Sequence, residues 1–187
     1  MDRPSRQPFI VGIGGTLRPG SSTQVAVEQA LAYAEGLGAR TRMFAGPDLD
    51  FPFYATEAPD RTEKAADLVD ALRIADGIVI GSPGYHGSVS GLIKNALDYA
   101  EDLSRDTRPY FDGRPVGLIS GGAGMQGAVT TLGMLRDITH ALRGAPTPYG
   151  VAFNSADKSA ERKSQTERQL ALLAAQIIQM VQPQPQH

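Results

Sequence analysis

Residues 81–99 read Gly-Ser-Pro-Gly-Tyr-His-Gly-Ser-Val-Ser-Gly-Leu-Ile-Lys-Asn-Ala-Leu-Asp-Tyr, directly after the apolar run Gly77-Ile78-Val79-Ile80. Glycine, proline and serine turn a chain and bare its N–H groups, and Tyr85 and His86 add two flat rings. A loop of this content at the carboxyl end of a strand lies where open parallel sheets bind ligands. It is read here as the floor of a site for a flat cofactor. A second loop, residues 15–23, carries hydroxyls at Thr16, Ser21, Ser22 and Thr23 and one fixed cation, Arg18. Followed by a helix start with free N–H groups and a positive dipole end, it offers what a phosphate monoester needs. A third, Gly121-Gly122-Ala123-Gly124-Met125-Gln126-Gly127, has glycines through which backbone amides approach a ring. Met125 and Gln126 are candidates to gate that ring or to touch a second substrate.

These loops need a frame. Short apolar runs predict strands at 9–14, 40–44, 77–81, 115–120 and 147–153. Pro146 and Pro148 mark the fifth as an edge strand. Helical spacing of apolar residues predicts helices over 22–37, 62–75, 89–103, 128–142 and 160–181, the first capped by Ser21 or Ser22. Val27, Ala30, Leu31, Ala34 and Leu37 form the inner face of that first helix. Residues 45–61, with Phe51-Pro52-Phe53-Tyr54, read as a long loop; 1–7 and 182–187 read as tails of a single domain spanning 1–187. Strands alternating with helices predict an α/β fold, a parallel sheet covered on both faces. In the order 2-1-3-4-5 the loops after strands one, three and four share the carboxyl edge, with the switch point between strands one and three.

Composition removes several classes. The 187 residues are long enough to bury a core, and a formal charge of −2 lacks the basic face of a general nucleic-acid binder. There is no cysteine, hence no disulfide, thiolate metal site or cysteine nucleophile. No apolar run reaches a membrane span of about 20 residues, and the N-terminus has no signal-peptide core; a cytoplasmic protein is expected. Gly15 and Gly20 have Walker A spacing, but Ser21 stands where lysine is required. A dinucleotide fingerprint from Gly12 and Gly14 fails at Leu17, and no acid follows about twenty residues on. His86, His140 and His187 are too dispersed for a metal site.

Residues 14–23 together with 82–99 resemble the NAD(P)H-dependent FMN reductase family, and the resemblance covers the chain from about Phe9 to Val181. That family has a flavodoxin-like fold and includes flavin, quinone, azo-dye and chromate reductases. By position, the resemblance implies that Thr16, Arg18, Ser21, Ser22 and Thr23 hold the FMN phosphate. Threonine replaces serine at 16 and the usual asparagine at 23. Pro83, Tyr85, His86 and Gly87 would line the isoalloxazine and ribityl chain, with Gly84 standing where many relatives carry glutamate. Ser120, Gly121, Gly122 and Gly124 would meet the dimethylbenzene and pyrimidine parts of the ring.

The implied activity is hydride transfer from NADPH or NADH to flavin N5, chemistry that the cofactor supplies, so no catalytic base is assigned. The open ring face then serves a second acceptor in ping-pong turnover, such as a quinone, or reduced FMN feeds a partner monooxygenase. The resemblance further implies a homodimer or homotetramer, with the 51–54 aromatics either buried or covering a neighbouring subunit's flavin. Lys94, Asn95 and Asp98 are read as helix surface or subunit contact, and His140 as structural. The alternative is a flavodoxin-like carrier or flavin sensor without nicotinamide turnover; the near-neutral charge and Arg18 favour the enzyme.

Overall fold

A computed structural model describes residues 6–58 and 60–181; most of the two expected tails, 1–5 and 182–187, lies outside them. Arg6, in the described part of the N-terminal arm, is tied to Asp76 at 2.5 Å. The sheet is built on β1 (Phe9–Gly14), β2 (Arg40–Phe44), β3 (Gly77–Tyr85) and β5 (Pro115–Gly122), all parallel, in the spatial order β2-β1-β3-β5. Both β6 (Ala145–Pro146) and β7 (Val151–Asn154) run parallel on the outer side of β5. This is the flavodoxin-like arrangement, with its fifth position filled in two pieces.

The expected continuous strand over 147–153 is broken for a local reason. Thr147 still donates its N–H to Val116 O at 2.9 Å, but Pro148 has no N–H to give. The Thr147 hydroxyl then turns to Tyr149 O (2.8 Å), and Tyr149 N–H is taken by Gln176 Oε1 (2.9 Å), so pairing resumes only at Val151.

Strand β3 also departs from expectation by running past residue 81. Its neighbour β5 keeps pairing, Ser82 with Ser120 and Pro83 with Gly121. The chain then reverses on itself, Gly84 opposite Val89 and Tyr85 opposite Ser88, which makes β4 (Ser88–Val89) the return of a tight hairpin. His86 (φ 51°) and Gly87 (φ 81°) occupy its tip; two left-handed residues in succession match a type I′ turn.

Side-chain alternation along the strands divides the core. Val11, Ile13, Ile78, Ile80 and Leu118 face α2 (Glu63–Ile74), α3 (Gly91–Asp98) and α4 (Met125–Ala141). Ile10, Val79 and Ile119 face α1 (Ser22–Gly36) and α5 (Ala160–Val181). Each such buried side chain contributes about 1.5–3 kcal/mol. Leu37, expected on the inner face of the first helix, is half exposed at its C-cap.

The 45–61 segment is clamped onto α3 and the 3-10 turn after it (Tyr99–Leu103). Asn95 accepts the Tyr54 N–H (2.9 Å) and donates to Pro52 O (3.0 Å), which also accepts the Tyr99 hydroxyl (3.0 Å). Arg61 grips Asp102 through Nε (2.7 Å) and Nη2 (2.8 Å) while lying over the Tyr54 and Tyr99 rings. Its guanidinium holds the Asp102 carboxyl below the usual range; burial and that carboxylate push the Tyr54 phenol up. Asn95 is therefore a buried clamp, whereas Lys94 and Asp98 pair with each other on the helix surface.

Candidate functional site

Because β1, β3 and β5 are parallel and in register, Gly14 beside Gly81 and Ser82 beside Ser120, their following loops meet at one edge of the sheet. The first loop ends at Ser21, the N-cap of α1, whose hydroxyl accepts the Gln24 N–H at 3.4 Å. Ser22 and Thr23 occupy the first turn, where N–H groups have no intrahelical acceptor. Thr16 Oγ1 accepts the Arg18 N–H at 3.2 Å, and Gln24 Oε1 accepts the Gly20 N–H at 3.0 Å. Side chains thus shape the loop from within. The Arg18 guanidinium is exposed and has no hydrogen-bond or ion-pair partner among the described residues. Thr23 Oγ1 is buried and without a hydrogen-bond partner.

In the second loop Ser82 and Pro83 are buried, and Tyr85, His86 and Gly87 stand exposed at the hairpin tip, Tyr85 at 52%. Ser82 has a task of its own. It donates to Pro83 O (2.9 Å) and accepts the N–H of Ser90 (3.0 Å), while Ser90 caps α3 through the Ile93 N–H (3.3 Å). These two serines fix the hairpin to the helix that follows it. On the side where a Cβ would lie, Gly84 faces α4: that atom would stand 2.7 Å from Thr131 Oγ1 and 3.0 Å from Gly127 O. It is glycine so that α4 can approach β3.

The third loop divides in the same way. Ser120 is fully buried, and its hydroxyl donates to Ala128 O at 2.5 Å, which ties β5 to the first turn of α4. Gly121 packs against the Phe153 ring and the Thr23 methyl, and Gly122 is also buried. Gly124 is exposed, with no neighbour within 4 Å of an added Cβ, and it is the N-cap of α4 without a side-chain cap. Helix α4 therefore begins three residues earlier than expected and presents the open N–H groups of Met125 and Gln126 at the same edge. Met125 also lines a cavity of about 410 Å³ between β7 and the start of α5, with Phe153, Asn154, Asp157 and Arg162. The Asp157 carboxyl is held below the usual range by the N–H of Ser159. Nothing local in the sequence marks this cavity, because its walls come from three separate elements.

The sequence profile of the NADPH-dependent FMN reductase family matches residues 8–158. The chain belongs to that family. The matched span runs from before β1 to beyond β7 and so contains all three loops of the edge. An FMN-dependent NADPH-azoreductase of Staphylococcus aureus is 36% identical over 109 residues, 58% of this chain and 54% of that protein. The chain thus spans about half the length of this curated azoreductase relative. Solved structures support the fold. An oxidoreductase from Corynebacterium diphtheriae superposes with a TM-score of 0.74 at 21% identity, covering 95% of this chain and 98% of that one. The flavoenzyme NAD(P)H:(acceptor) oxidoreductase of Paracoccus denitrificans gives 0.70 at 20% identity, covering 92% and 98%.

Proposed function

We propose that the protein is an FMN-dependent oxidoreductase that takes electrons from NADPH or NADH and delivers them to a small acceptor. The observation that carries this reading is the partnerless Arg18 beside the open first turn of α1, at the switch point of a flavodoxin-like sheet. These residues fit a phosphate monoester. The guanidinium supplies bidentate donors, Ser22 a hydroxyl and two N–H groups follow at the helix start, while Thr23 Oγ1 is a buried hydroxyl still lacking a partner. When bound, FMN supplies the chemistry, accepting a hydride from the nicotinamide and releasing electrons to the acceptor.

The chain's own contribution is binding and electrostatics. Tyr85 and His86, held on a tight hairpin, offer ring surfaces to the cofactor plane. The uncapped start of α4 presents N–H groups and a positive dipole end at the same edge, where they would favour negative charge on a bound flavin. Ser82, Ser90 and Ser120 spend their hydroxyls on internal hydrogen bonds and would hold in place the elements that line the site. No proton donor or base is needed from the protein, which is consistent with ping-pong turnover at one open face. Quinone-like or azo acceptors, or a monooxygenase fed with reduced FMN, are the candidate recipients. Among the described residues no helix is long and apolar enough to cross a membrane; the cytoplasmic placement is part of the proposal.

We also read the protein as one FMN-binding domain that assembles as a homodimer or a homotetramer. Phe53 is 85% exposed at the tip of the clamped loop, and a largely apolar cavity of about 390 Å³ lies on the other flank of α3, lined by Val89, Gly91, Met134 and Ile138. An anchor and a groove on one chain suit reciprocal contact between two copies.

The test is the visible spectrum of the purified protein, supplemented with FMN and then mixed anaerobically with NADPH or NADH. A flavin spectrum that bleaches with either nucleotide supports the reductase and reveals the preferred donor. Bound flavin that neither nucleotide bleaches supports a carrier instead, and failure to bind FMN in excess removes the reading.

A further inference from the structure

A third cavity, about 490 Å³, lies on the opposite edge of the sheet and is lined by Arg73, Arg105, Asp106, Thr107 and Arg108. Arg73 belongs to the last turn of α2 and the other four to the segment that leads into β5, so the cavity flanks the amino ends of β3 and β5. The nine residues of β3 put it roughly 25–30 Å from the hairpin tip. The family reading does not use it.

Three guanidinium groups line this space. Arg73 uses Nε on Asp106 (2.9 Å) and Nη1 on Asp70, which leaves Nη2 free. Arg108 uses Nε on the Asp112 main-chain carbonyl (2.8 Å) and keeps both terminal nitrogens. Arg105 has no partner among the described residues, and neither does the Thr107 hydroxyl. Behind them Arg114 is buried, 1% exposed, and donates to Ala75 O (3.0 Å), Tyr110 O (2.6 Å) and Arg73 O (2.9 Å). Main-chain carbonyls satisfy its hydrogen bonds, and no carboxylate bonds to it directly; Asp76, Asp106 and Asp112 act on its charge from a distance. Of the neighbouring carboxylates, Asp70 and Asp106 are engaged by Arg73 and Asp76 by Arg6, while Asp112 contributes only its main-chain carbonyl to Arg108.

We propose that this cavity is a binding site for a small phosphate-bearing anion, distinct from the flavin site. Planar guanidinium groups converging from two elements suit a tetrahedral group with several oxygens, and the volume lies within the roughly 300–1,000 Å³ of ligand sites. An anion here would bridge the end of α2 to the segment entering β5 and take up the guanidinium N–H groups that Arg73, Arg105 and Arg108 leave without partners.

The experiment is isothermal titration of pyrophosphate at fixed ionic strength into FMN-supplemented wild-type protein, R18Q and R105Q/R108Q. Pyrophosphate binds saturably, with the same affinity, to wild type and R18Q, and R105Q/R108Q weakens it by about tenfold or more. R105Q alone, which removes no internal bond, gives a smaller loss and decides the matter should the double variant fail to fold. Equal affinity in all proteins, or loss in R18Q instead of R105Q/R108Q, overturns the proposal. So does the absence of saturable binding at millimolar pyrophosphate.

Discussion

At one edge of the sheet Arg18 stands without a partner in a loop of glycines and hydroxyls; at the other, Arg114 is buried and bonded to three main-chain carbonyls. Both edges must satisfy chain ends and helix termini, yet they do so in opposite ways. At the carboxyl edge, side chains bond backward into the frame (Ser82 to the hairpin, Ser120 to α4) and leave backbone N–H groups open. At the amino edge, Arg114 reaches across to the carbonyls that end α2 and closes the frame. Open donors are the equipment of a binding site, and internally satisfied carbonyls are the equipment of stability.

The contrast is broken most severely at Arg114. Its replacement in R114M leaves three carbonyls unpartnered and should cost about 3–5 kcal/mol in denaturant unfolding. The fraction that remains folded should bind FMN with unchanged affinity. A loss below about 1 kcal/mol would mean that water serves those carbonyls equally well. The converse variant is R18Q. Flavin affinity should fall about 10- to 100-fold, while the unfolding midpoint stays where it was, because no internal bond is lost.

A third variant examines the clamp between the edges. Arg61 holds the Asp102 carboxyl below its ordinary range, so the ionised clamp contributes stability above that range. The contribution is lost as pH falls through the depressed folded value. D102N should therefore be less stable than wild type by about 1–2 kcal/mol near neutrality. The two stabilities should converge in acid below about pH 4. The smallest effect belongs to the hairpin tip. Asn-Gly suits a type I′ turn better than His-Gly, so H86N should gain about 0.5 kcal/mol. If flavin affinity is also unchanged, residue 86 serves the site through its backbone; a weaker complex assigns that role to the imidazole.

Much of the frame was legible because it rests on local patterns. The β-branched run at 9–14, the apolar spacing over 160–181 and the Ser21 cap are each decided within a few residues. The hairpin was not, because Gly-Ser-Pro-Gly reads as a loop until β5 is seen to continue beside it. The same limit affected the glycines. Gly84 and Gly124 look alike in sequence, yet α4 crowds one and nothing approaches the other. The Arg61–Asp102 clamp and the Arg114 brace join residues about forty positions apart, and no spacing rule announces them.

The interrupted fifth strand has a consequence for assembly. An exposed, continuous edge strand is a template for adding strands from other molecules. Here one border of the sheet is split by Pro146 and Pro148, and the other, β2, carries Arg40 and Arg42. Arg40 covers Phe9 and Arg42 covers Phe44, which places charge along that border. Both borders are therefore poor sites for sheet-to-sheet growth. Copies of this chain that associate should do so through helices and the 51–54 loop, and unfolded-chain aggregation should be seeded elsewhere than at the native sheet borders.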